Sequence, residues 1–365
     1  MKIKTLLVLS LIPMMVGCGN QNTSGGEGAD TIEITDMQNR KMTINKKAID
    51  RVVCLGAGAL RYYSYIGDVS KVVGVEEIDG QTTFGVGQAL RPYYLANQST
   101  FSALPTVGRG GPQDQTPHQE TIAAARPNII ISFYSDASVN DELASALEVP
   151  VVALLQGQDG VFAEDTLKSF ELLGKVFGKE TKAKALVDYI NSCKADFDNL
   201  TISEDTYYAG CIGRWGTTNI SDSQAGFPVF KYAKVKNAYD LDKEGLVHAD
   251  PDKIFVDTSG INNFVTEYKK EGQAEIYDSL KAFENGETYL LLPYNAYYTN
   301  LEIQLMSTYY VASIAHPTEF ATLNFESKAN EITNKFLGKE LYTEMKAHQY
   351  GFGGYQKFNI KDLVK

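Results

Sequence analysis

Beyond residue 31 the chain alternates short apolar runs with longer segments whose apolar positions recur every three or four residues. Residues 31–43 alternate apolar and polar side chains around the polar stretch Asp36-Met37-Gln38-Asn39, which predicts a β-hairpin. The apolar runs 51–55, 71–75, 104–107, 128–133 and 150–154 have strand length. The stretches 59–66, 119–125 and 141–147 between them read as helices. Strands alternating with helices predict a parallel sheet covered on both faces. Residues 164–177 and 180–199 break this rhythm with two consecutive helical patterns. In the second, Leu186, Tyr189, Ile190, Cys193 and Phe197 make one stripe along a helix about 30 Å long. Alternation then resumes. Strands are predicted at 206–212, 253–257 and 287–293, and helices at 228–234, 275–282, 328–337 and 341–348. A long amphipathic helix is predicted at 300–314. The fold class is therefore α/β. Two doubly wound lobes, 32–178 and 201–365, are joined by one long helix, 179–200, with a ligand cleft between the lobes. A helix is a stiff connector, so the lobes should move little relative to each other.

The first 31 residues follow a different logic. Lys2 and Lys4 precede an apolar stretch at 6–16, broken only by Ser10 and Pro13. Crossing about 30 Å of hydrocarbon takes roughly 20 residues, so this stretch is too short to span. It reads as a secretory signal peptide, 1–17. Met15-Val16-Gly17-Cys18 closes it with a small residue before a cysteine, which resembles a bacterial lipoprotein box. The implied mature chain begins at a lipidated Cys18 on the outer side of the cytoplasmic membrane. Residues 18–31, rich in Gly, Asn, Ser and Thr, read as a flexible tether.

Hydrophobic residues make up 44% of the chain and charged residues 22%, so a packed core is expected. The net charge is −11, and loss of Lys2 and Lys4 with the leader makes it −13. Such a surface argues against nucleic acid or anionic lipid as a partner, leaving the lipid anchor as the membrane contact. With Cys18 lipidated, Cys54, Cys193 and Cys211 remain, an odd number that does not build a disulfide scaffold. Cys54 and Cys211 lie in apolar runs and read as small buried hydrophobes.

Catalytic and metal chemistry find little support. His118, His248, His316 and His348 are scattered, with no H-x-H or H-E-x-x-H spacing, so no directly bound metal and no intrinsic cofactor are expected. No G-x-S-x-G elbow is present. Gly56-Ala57-Gly58 after a strand, with Glu76 some twenty residues on, echoes a dinucleotide fingerprint. The third glycine position is Arg61, whose side chain blocks close helix–strand approach.

What remains is a set of Arg and aromatic residues at strand ends. The chain has seven Arg and 22 Tyr. Arg61 and Tyr62, Arg91 and Tyr93, Arg109, and Tyr134 fall in the first half. Arg214 and Trp215 (the only Trp), then Tyr294, Tyr297 and Tyr298, fall in the second. In open α/β sheets, ligands bind beyond the carboxyl ends of strands. Guanidinium forks grip oxyanions and aromatic rings supply rigid contact area. No loop pairs a nucleophile with a base, so binding fits better than catalysis, and the chain is not expected to be an enzyme.

The succession of motifs resembles the iron-chelate and cobalamin group of ABC-transporter solute-binding proteins, whose lobes are joined by a rigid helix. The stretches that carry the likeness include "RVVCLGAGALRYY", "LPTVGRGGP", "ETIAAARPNIIISF", "ELLGKVFGKETKAKALVDYI", "LVHADPDKIFVD" and "YLLLPYNAYYTNLE". The connector at 237–250 is shorter than the family pattern. The resemblance implies a monomeric binder that delivers its cargo to a membrane permease and its ATPase. It also implies that one surface Glu on each lobe, Glu120 and Glu244, docks onto the permease. A ferric siderophore suits Arg and Tyr walls, so a ferric chelate is the first expectation. Haem and cobalamin are alternatives within the same class, and direct ligation of iron by Tyr294, Tyr297 and Tyr298 is a second mechanism. A sensory or enzymatic lipoprotein on the same fold is the reading from a different class.

Overall fold

The structure, a computed structural model, describes residues 31–80, 89–111, 114–212, 219–239 and 242–364. The predicted leader, tether and Cys18 lie outside the described residues. Strands β1 (Thr31–Thr35) and β2 (Lys41–Asn45) form the expected antiparallel hairpin, with Ile32 opposite Ile44. Its turn is closed by Asp36, whose carboxylate accepts the Gln38 and Arg40 N–H groups at 3.0 Å and the Ala153 N–H at 3.0 Å. One buried carboxylate thus ties the hairpin to the first lobe.

The first lobe is a parallel sheet of β3 (Val52–Leu55), β4 (Val72–Glu76), β5 (Thr106–Gly108), β6 (Ile129–Ser132) and β7 (Val151–Ala153), in the order β5-β4-β3-β6-β7. Strands β3, β6 and β7 are buried at every position, as continuous apolar runs require when helices cover both faces. The second lobe is a parallel sheet of β8 (Thr206–Gly210), β9 (Lys236–Asn237), β10 (Lys253–Asp257) and β11 (Thr288–Leu291), in the order β11-β10-β8-β9. In each sheet the winding direction reverses inside the sheet, between β3 and β6 and between β8 and β10. The fold has crevices for ligands at the carboxyl ends near such points.

The helix Glu180–Asp198 follows the first lobe and precedes the second. It buries Leu186, Ile190, Cys193 and Phe197, four of the five positions in the predicted stripe. The hydrophobic core it joins is continuous. It includes Val52, Ile131 and Val152 of the first sheet and Tyr207, Ala209 and Phe255 of the second.

The helix Leu301–Ala315 departs from the sequence expectation. It is buried almost all round rather than amphipathic, including Glu302, Gln304, Ser307 and Thr308. Its polar residues bond both lobes, Ser307 sharing a hydrogen bond with Tyr355 of the second at 2.8 Å. Tyr65 donates its hydroxyl proton to Glu302 at 2.8 Å, and Gln304 bonds the Val161 N–H and the Asp159 carbonyl at 2.9 Å each. It is a second strut at the lobe junction. Buried polar groups with partners in both lobes produce a mixed pattern that periodicity reads as a solvent face.

Candidate functional site

A cavity of about 590 Å³ opens between the lobes, within the range typical of small-molecule sites. The loop after β7 contributes Gln156, Gly157 and Gln158. From the second lobe come Gln224, Gly226 and Pro228, and the loop after β11 adds Tyr294, Asn295, Tyr298 and Thr299. Among the described residues, this lining holds amides, hydroxyls and rings but no Asp, Glu, Lys, Arg or His.

The loops are held from below. Ser169, on the helix Glu164–Phe177, accepts the Leu155 N–H at 3.0 Å and donates to the Leu155 carbonyl at 2.8 Å. Thr166 on the same helix accepts the Gly157 N–H at 3.3 Å. Across the cleft, Asp257 ends β10 and accepts the Tyr294 and Ser259 N–H groups at 2.8 Å each. Burial lifts its carboxyl to about 6 against these bonds. Burial also pushes the Tyr294 phenol up to about 12, so the resting site presents it as a neutral hydroxyl.

Of the expected site residues, Tyr294 and Tyr298 line the cavity and Tyr297 stands half-buried beside them. Arg214 and Trp215 lie outside the described residues. Several others have different roles from those expected. Arg61 is fully buried, and its guanidinium donates to the carbonyls of Ala296, Tyr297 and Thr299 and to Asn300 Oδ1. Arg91 is also fully buried. It donates to the Tyr93 hydroxyl at 2.8 Å, lies 3.6 Å from Asp79, and faces the rings of Tyr93, Tyr94 and Tyr297. Tyr93 in turn donates to Asp79.

The reason is local. Pro92 opens the helix Pro92–Phe101, which carries Tyr93, Tyr94 and Phe101 into the core instead of leaving "RPY" as a cleft loop. Tyr62 is buried too, sharing a hydrogen bond with Thr166 at 3.1 Å and packed edge-on to Phe133. Tyr134 belongs to the apolar cluster with Leu55, Val107 and Leu143. Arg109 is exposed after β5, the sheet edge opposite β7. Four strand spacings, about 19 Å, separate that edge from the Gln156 loop.

Glu76 disposes of the dinucleotide echo. It is buried at the end of β4 and accepts the Gly56 N–H at 2.9 Å, bracing the first glycine loop from within. Gly110 wraps over it in the left-handed region at φ +69°, where an added Cβ would come within 2.7 Å of the Glu76 carboxylate. The missing side chain at Gly110 leaves room for the buried acid. Gln156, Gln158, Gln224, Asn295 and Thr299 also line the cavity, and as uncharged, non-aromatic residues they do not stand out in the sequence. Gln156, Gln158 and Asn295 lie just past strand ends, which is the available signal for those three.

Glu120 and Glu244 are both exposed, in the first turns of the helices Gln119–Ala125 and Lys243–Ala249. Six residues after each Glu comes a left-handed non-glycine, Arg126 at φ 50° and Asp250 at φ 39°, followed by a proline and then a strand. The two lobes therefore present these carboxylates in matching local settings.

Two parallel-sheet lobes on a common core, with a cavity between strand carboxyl ends and a long helix between the sheets, define a two-lobed binding protein. The family model described as periplasmic binding protein matches residues 52–291, and the chain belongs to that family. It is 22% identical over 292 residues to YvrC of Bacillus subtilis (strain 168), an uncharacterized ABC transporter substrate-binding lipoprotein, covering 72% of this chain and 82% of that one. A periplasmic solute-binding protein from Veillonella parvula superposes with a TM-score of 0.65 at 18% identity, covering 85% of this chain and 94% of that one. The molybdate-binding protein MolA of Haemophilus influenzae superposes at 0.60 with 17% identity, covering 85% and 98%. These likenesses concern the fold.

Proposed function

We propose that this chain is the extracytoplasmic substrate-binding lipoprotein of an ABC importer, which captures a ferric-siderophore-type chelate and hands it to a membrane permease and its ATPase. The cavity between the lobes carries the reading: its size suits a compact chelate, and its walls are rings, amides and hydroxyls. Family membership and the lipoprotein relative support the transport class. The leader at 1–17, a lipidated Cys18 and the tether at 18–31 would keep the binder beside its permease, with Glu120 and Glu244 as the docking carboxylates.

The uncharged lining among the described residues favours a chelate recognised by hydrogen bonds over one recognised by charge. A ferric tris-hydroxamate is neutral and edged with carbonyl oxygens, so it is the first probe. The test is a thermal-shift and Trp215-fluorescence panel on the mature chain with hydroxamate, catecholate and citrate complexes of iron. A stabilising shift and quenching with an iron chelate are expected. No response to any of the three rejects the ferric reading, and a shift with haem or cobalamin instead reassigns the ligand within the same class.

A further inference from the structure

Arg61 reaches from the helix Ala59–Ile66 of the first lobe into the loop 294–300 of the second. Its base is firm, because all eight residues of that helix are buried. All four terminal N–H groups of the guanidinium donate. Nη1 bonds the Tyr297 and Thr299 carbonyls at 3.0 Å each, and Nη2 bonds the Ala296 carbonyl at 2.7 Å and Asn300 Oδ1 at 3.0 Å. The group so held is an unusual piece of backbone. Tyr297 and Tyr298 are consecutive left-handed residues, at φ 51° and 68°, a region that bulky L side chains seldom enter. The loop closes on itself through Ala296 N–H to the Tyr298 carbonyl at 3.1 Å and Asn300 N–H to the Tyr294 carbonyl at 2.9 Å. Its product is the Tyr298 ring at the cavity wall, 40% exposed and 6.3 Å from the Phe133 ring of the first lobe.

We propose that Arg61 is a positioning residue of the binding site: from the first lobe it holds the Tyr297–Tyr298 pair left-handed and so sets Tyr298 against the ligand. The proposal rests on the cavity being the ligand site. A planar fork satisfies several fixed acceptors at once, whereas a lysine is a point charge with three rotatable donors, so Arg61→Lys is not conservative here. The ligand contact is made by Tyr298, and Arg61 acts through it.

The experiment uses the full mature chain as wild type, Arg61→Gln, Arg61→Lys, Tyr298→Ala and the double variant Arg61→Gln/Tyr298→Ala. Hydrogen exchange is followed at the Ala296 and Asn300 amides. In Arg61→Gln it should rise roughly tenfold or more, with wild-type rates kept in β10 and in the helix Glu180–Asp198. Where Arg61→Gln does not fold, Arg61→Lys carries the same comparison. Unchanged exchange in 294–300, or an equal rise throughout the second lobe, overturns the proposal. Affinity for a ferric tris-hydroxamate gives the second readout. Arg61→Gln should weaken it about tenfold with Tyr298 present and less than about twofold in the Tyr298→Ala background. Equal losses in the two backgrounds overturn the action through Tyr298. If the wild type ignores the chelate, the ligand reading has failed, and the exchange data still decide whether Arg61 positions the loop.

Discussion

Replacing Glu76 by Gln should change how stability depends on pH, in a direction and by an amount set by the burial of this carboxyl. Glu76 sits under the first glycine loop, with its Oε2 on the Gly56 N–H. Burial lifts its pKa from 4.5 to about 8, with the nearby Asp79 and Asp114 adding to the rise and the Gly56 bond opposing it. In the folded chain the proton is kept up to about pH 8, while in the unfolded chain it leaves near 4.5. Between these values the folded state binds more protons, so raising the pH favours unfolding. The stability associated with this group is complete below about 4.5 and is lost as pH rises through about 8. A separation of that size corresponds to about 5 kcal/mol in all, of which about 3 kcal/mol falls between roughly pH 5.5 and 8.5.

Glutamine keeps the acceptor for Gly56 and cannot ionise. Chemical denaturation of wild type and Glu76→Gln across that range measures the difference. Near pH 5.5 the two should agree within about 1 kcal/mol, and near pH 8.5 the variant should be more stable by about 3 kcal/mol. Asp257 and Glu302, lifted by burial to about 6 and about 7, titrate in both proteins, so subtracting the profiles isolates Glu76. Parallel profiles would refute the reasoning, for then Glu76 has the same proton affinity folded and unfolded.

Two further outcomes are expected. The pair Glu120→Ala with Glu244→Ala should abolish uptake in cells while leaving the affinity of the purified chain unchanged; an equal fall in affinity would mean that these residues serve the cleft. Phe197→Ala removes a fully buried ring packed on Tyr309 at 4.8 Å and on Phe162 and Phe320 near 6 Å, so it should lower stability by about 3–5 kcal/mol. Because the core runs through both lobes, the unfolding midpoints of the two lobes should move together, and a shift confined to one lobe would contradict the shared core.

The parts of this protein legible in sequence are those with a single physical cause. Continuous apolar runs must be strands buried on both faces, and β3, β6 and β7 are. The stripe along the helix Glu180–Asp198 has one apolar target and was equally plain. The helix Leu301–Ala315 is not legible in this way because its buried face is polar as well as apolar, and only the partners Tyr65, Asp159 and Val161 make Glu302 and Gln304 interior residues. The same ambiguity governed the arginines. An Arg beside Gly and Tyr at a strand end has the composition of an anion grip. It has the same composition when it must satisfy the carbonyls of an irregular loop. Local sequence cannot separate the two, since the acceptors for Arg61 lie more than 230 residues away, at 296–300. The irregular loop around the left-handed Tyr297–Tyr298 pair leaves the carbonyls of Ala296, Tyr297 and Thr299 to be met by a side chain, and buried carbonyls need donors. The guanidinium that fills this need is thereby removed from the cleft. The hydrogen bonds that keep the Arg61 guanidinium out of the described lining are thus the same ones that hold the loop carrying Tyr298 at the cavity wall.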